Sequence, residues 1–79
     1  MGASVRKTLF WGKQQLSSMH EGAFPGDEVV LLEAAAARKR FELFSDPSLE
    51  LDEKVLHKYA DFISKRRRRM PVDYILGNT

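Results

Sequence analysis

Leu51-Asp52-Glu53-Lys54-Val55-Leu56-His57-Lys58-Tyr59-Ala60-Asp61-Phe62-Ile63-Ser64-Lys65 is the stretch that decides the fold. Val55, Leu56, Tyr59, Phe62 and Ile63 recur at i, i+1, i+4, i+7 and i+8, which lays one apolar stripe along a helix of 3.6 residues per turn. Asp52 has the short acceptor side chain of an N-cap, and Leu51 before it is spaced to staple against Leu56. The helix continues through Arg66-Arg67-Arg68-Arg69, where positive charge meets the negative end of the helix dipole, and Pro71 stops it. Pro71-Val72-Asp73-Tyr74-Ile75-Leu76-Gly77 then reads as a one-turn helix, with proline at its first position and glycine at its C-terminal cap.

Upstream, Phe41-Glu42-Leu43-Phe44 fits one or two helical turns that Ser45-Asp46-Pro47 ends. Before it, Asp27-Glu28 open a Val-Val-Leu-Leu run that passes into four alanines. That composition decides for a second helix over a buried strand, because alanine favours helix and no partner strand is apparent. Residues 4 to 19 carry Val5, Leu9, Trp11, Leu16 and Met19 as a first helical stripe, with Ser4 as its N-cap and Gly22 and Pro25-Gly26 as its end. The reading is an all-α bundle of four to five helices. Its expected core is Leu9, Leu16, Val30, Leu31, Leu43, Val55, Leu56, Tyr59, Phe62 and Ile63. Trp11 and the five phenylalanines are also expected in the core or at its boundary.

The chain has 79 residues, enough for one small domain, and no cysteine. It therefore has no disulfide framework, thiolate metal site or cysteine nucleophile. No apolar run approaches the roughly 20 residues that span a bilayer, and the first residues lack the apolar core of a signal peptide. Arg6 stands where lipidation of Gly2 favours Ser or Thr. No membrane association, a cytoplasmic location and a monomer are expected. His20 and His57 are the only histidines, and neither belongs to a metal-binding array at helical spacing. The five glycines form no nucleotide fingerprint. His57 reads as a surface or boundary residue and His20 as lying near a helix end.

The charge is segregated. Residues 41 to 53 hold five acids and no base, whereas Lys65 to Arg69 are uniformly basic. That run admits a solvated helix end, a contact surface for acidic protein or RNA phosphate, or a nuclear localisation signal. Arg66, Arg67, Arg68 and Arg69 are accordingly the candidate partner-binding residues, several of them facing outward. A free-standing helical module binding RNA or the ribosome through Lys65 to Arg69 is one functional reading, and a plain protein-interaction bundle is another.

The tail Arg66 to Gly77, with Pro71-Val72-Asp73-Tyr74-Ile75-Leu76-Gly77 at its end, resembles the junction ahead of the catalytic domain in the release-factor glutamine methyltransferases, the HemK/PrmC family. Leu16, Gly22, Pro25, Asp27 and Leu31-Leu32 are similar to earlier marks of that family, as are Arg40, Asp46-Pro47 and Leu51-Asp52. The resemblance extends over residues 4 to 79. It implies a helical N-terminal domain that recognises a peptide-chain release factor. A class I domain would follow it and transfer methyl from S-adenosylmethionine to the glutamine of a Gly-Gly-Gln loop. This chain carries neither the family's Asn-Pro-Pro-Tyr motif nor its cofactor-binding glycines. A truncated, non-catalytic piece without cofactor is therefore expected, with Pro71, Tyr74 and Gly77 as the interdomain hinge and Tyr74 packed inward. Ala37 and Arg69-Met70 depart from glycine-containing positions of the family. Without glycine to take the left-handed cap, the second and long helices are expected to run on further.

Overall fold

A computed structural model describes residues 2–18 and 26–77. In chain order its elements are β1 (Ala3–Ser4), α1 (Val5–Ser17), α2 (Asp27–Ala36), α3 (Arg40–Ser45), β2 (Glu50–Leu51), α4 (Glu53–Arg67) and α5 (Val72–Ile75). The expected all-α bundle is present, and the expected helix starts hold. Ser4 Oγ accepts from Lys7 N at 3.2 Å and Asp52 Oδ1 from Lys54 N at 2.8 Å, each satisfying a helix-start donor. Asp27 and Glu28 occupy the first turn of α2, where the helix dipole favours negative charge. His20, Gly22 and Pro25 lie outside the described residues.

One feature is absent from the periodicity: β1 and β2 pair antiparallel, with Ala3 opposite Leu51 and Ser4 opposite Glu50. Each strand is only two residues long, too short to alternate visibly, and each leads directly into an N-cap. The ladder fastens the starts of α1 and α4 together. Two further bonds extend the tie, Val5 N donating to Leu49 O at 2.9 Å and Arg6 N to Pro47 O at 3.0 Å.

The expected lengthening of α2 and α4 does not occur. Ala37 takes φ 53°, Arg69 takes φ 67°, and both helices stop there. Around Arg69 the closure is a full Schellman motif: Met70 N donates to Lys65 O at 3.3 Å and Arg69 N to Arg66 O at 2.9 Å. Arg38 N likewise reaches Glu33 O at 3.1 Å. The turn imposed by the rest of the fold overrides the cost of a side chain in the left-handed region, on the order of 1–2 kcal/mol.

The core holds Val5, Leu16, Leu31, Leu32, Ala35, Leu43, Leu51, Tyr59, Phe62, Ile63 and Ile75. Leu9, Val55 and Leu56 pack against it only partly buried, and Val30 is also intermediate, so four expected core positions belong to the boundary. On α2 the inward arc falls on Val29, Leu31, Leu32 and Ala35, and Val30 turns to its edge. Three phenylalanines depart further from expectation. Phe10 on α1 is exposed, and so are Phe41 and Phe44, because Leu43 is the side chain that α3 turns inward.

Candidate functional site

The arginine run divides by helical phase. Arg66 lies seven residues after Tyr59 and three after Ile63, so it continues the buried face of α4 rather than a solvated one. Its side chain is 6% exposed and meets an Asp27 side chain that is 12% exposed, Nε to Oδ2 at 3.0 Å. A second guanidinium nitrogen donates to Met70 O at 3.1 Å. Arg66 therefore joins the start of α2, the end of α4 and the segment entering α5, and it is not part of an exposed contact surface. Arg67, Arg68 and Arg69 are exposed. Arg67 donates to Gln15 Oε1 of α1 at 3.2 Å. Lys65 pairs with Asp61 on its own helix at 3.0 Å.

Arg67 and Arg68 form the basic end of a furrow between α1 and α4. Trp11 and Ala60 lie at its middle, Gln15 and Ser64 beside the arginines, and Lys7 and Leu56 at its other, largely apolar end. At the apolar end its floor is Tyr59, 1% exposed, whose ring meets Trp11 edge-on with centroids 6.1 Å apart. The Tyr59 hydroxyl donates to Glu28 O on α2 at 3.0 Å, so one phenol links three helices. Burial, and secondarily the negative charge of Glu28, push its pKa well above the ordinary phenol value.

Gly12 makes this approach possible. A Cβ on Gly12 would overlap the Tyr59 hydroxyl and lie 2.8 Å from its Cζ. Gly12 is absent from the residues expected to matter, although an isolated glycine within an amphipathic helix signals close packing.

At the residues expected to form the hinge, the local geometry departs from the reading in two places. Pro71 is the N-cap of α5 rather than its first residue, with φ −61° and ψ 147°. Gly77 follows the helix in the left-handed region at φ 74°. Tyr74 does not pack inward; it is 63% exposed, and Ile75 is the buried residue. Starting the turn at Val72 places Val72, Ile75 and Leu76 against the core at i, i+3 and i+4, which leaves Tyr74 on the opposite side.

His57 is exposed, and among the described residues no three His, Cys, Asp or Glu side chains gather as a metal site. No helix among the described residues is long and apolar enough to cross a membrane. The surface between α1 and α4 presents an exposed indole with cations on both sides of it.

The sequence profile of the PrmC N-terminal domain matches residues 7–77. The chain belongs to this family. Among curated proteins, this PrmC N-terminal domain is similar to the release factor glutamine methyltransferase of Clostridium botulinum, 28% identical over 75 residues, which cover 95% of this chain and 26% of that protein. It is also similar to the release factor glutamine methyltransferase of Caulobacter vibrioides, 37% identical over 51 residues, covering 65% of this chain and 18% of that protein. The chain thus spans about a quarter or less of the curated relatives it matches. No solved structure matches it at comparable significance.

Proposed function

We propose that this chain is the substrate-recognition domain of a protein-glutamine methyltransferase. In this reading it holds a peptide-chain release factor while a catalytic domain, following Gly77, transfers methyl from S-adenosylmethionine to the glutamine of a Gly-Gly-Gln loop. The profile match over residues 7–77 carries this reading, together with the activity that names the relatives. The chemistry explains why such a domain is useful. An amide nitrogen is a poor nucleophile, so the reaction depends on holding it in line with the methyl donor. Contacts far from the reacting atoms supply binding energy for that orientation. The domain itself performs no methyl transfer and holds no S-adenosylmethionine, and Pro71 to Gly77 act as the joint to the catalytic domain.

Calorimetric titration of the chain with a release factor and, separately, with S-adenosylmethionine tests the assignment. Binding of the release factor without binding of the cofactor is expected. Cofactor binding by the isolated chain, or no release-factor binding by a parent protein that contains it, overturns the reading.

A further inference from the structure

We propose that the furrow between α1 and α4 is a docking surface for an acidic stretch of polypeptide that inserts one apolar side chain beside Trp11. This rests on the reading that the domain holds a protein substrate, and it assigns the surface that does so. Trp11 remains 40% exposed although its ring packs edge-on against buried Tyr59, so a large, rigid apolar side chain faces solvent on a buried support. Exposed aromatic anchors of this kind dominate binding energy at protein interfaces. Ala60, the residue beside Trp11, is exposed and short, and it leaves a hollow where a longer side chain on α4 would fill the space.

Charge selects the occupant. Lys7 stands at one end of the furrow and Arg67 and Arg68 at the other, with no acid among the described residues that line it. Arg67 is already held by Gln15, so less conformational freedom is lost when a carboxylate pairs with it. Helical rise separates Lys7 from Gln15, beside Arg67, by about 12 Å along α1. The occupant is therefore a segment with two carboxylates about 12 Å apart, two turns of helix or four extended residues, and an apolar side chain between them. The apolar middle disfavours RNA, whose backbone needs cations along its track and several stacking platforms.

The test measures affinity of the 79-residue chain, with Ala60→Glu and Arg68→Glu as furrow variants and Lys54→Glu, exposed elsewhere on α4, as the matched charge control. The probes are a release factor, a synthetic peptide with one leucine between two glutamates at that spacing, and a single-stranded RNA oligonucleotide. Expected is a loss of about tenfold or more for the release factor in each furrow variant, with unchanged melting midpoints and an unaffected Lys54→Glu control. Release-factor binding that ignores both furrow variants overturns the furrow while leaving the substrate assignment standing. Peptide binding lost in the furrow variants supports the furrow; if a parent protein that contains the domain then binds no release factor, the substrate assignment is overturned instead. RNA binding that the furrow variants abolish, or binding of none of the three probes, overturns the proposal.

Discussion

Two faces of α4 use similar residues to opposite ends. Toward α2 the helix presents Tyr59, Ile63 and Arg66, all buried, and the described partners of the two polar side chains are specific: Glu28 O for the phenol, Asp27 and Met70 O for the guanidinium. Toward the open side of α1 it presents Ala60, Ser64, Arg67 and Arg68, all exposed. One residue of helical phase separates Arg66 from Arg67, and it converts the same side chain from an internal brace into a surface charge. A basic run is thus not a unit of function; each member takes the role of the face on which it falls.

The comparison breaks most severely at Arg66. Arg66→Ala removes one partner of a buried ion pair and should cost about 3–5 kcal/mol, whereas Arg68→Ala should cost under about 0.5 kcal/mol; paired urea titrations check this. Gly12→Ala comes next. Helix propensity alone would favour alanine by about 1 kcal/mol, but the methyl group meets the Tyr59 ring, and the overlap should make the net effect a loss of about 1–3 kcal/mol in thermal melting.

A third test uses pH. The Tyr59 pKa is raised in the folded state, so its contribution is fully present below the unfolded phenol value of about 10 and is lost as pH rises beyond it. Stability should fall there by up to about 1.4 kcal/mol per pH unit from this group, and Tyr59→Phe should remove that component of an alkaline unfolding curve. The last expected effect is a gain. Arg69→Gly relieves a side chain at φ 67° and should raise stability by about 0.5–1 kcal/mol, a shift that differential scanning calorimetry resolves.

The helices were legible because their signals are local. The α4 stripe, the Ser4 and Asp52 caps, and Pro47 and Pro71 each act within a turn or two of themselves. What escaped the sequence is non-local. Leu32, Leu51 and Ile75 are buried by elements distant in the chain, and the β1–β2 ladder joins residues nearly fifty positions apart. The inward turn of Arg66 was foreshadowed by its place on the stripe, yet recognising it required knowing that Asp27 lies opposite. Helix ends were misjudged for a related reason. Residue preference disfavours Ala37 and Arg69 in the left-handed region, but Leu43, Arg66 and Met70 fix where the chain must go next. The family resemblance was visible because its marks are punctuation; the furrow was not, since its two walls lie on α1 and α4.

The tie between β1 and β2 has a consequence for biosynthesis. Helix α1 leaves the ribosome before α4 and is fastened to Pro47, Leu49 and Leu51, and its Gly12 face is shaped to a tyrosine at position 59. A nascent chain ending before α4 holds α1 without its ladder or its aromatic partner, and short isolated helices are marginal in water. The domain should therefore stay open until residue 67 has emerged, then close in one step. Ribosome-arrested chains whose emerged portion grows from residue 45 to residue 75 should show protease resistance arriving abruptly rather than helix by helix.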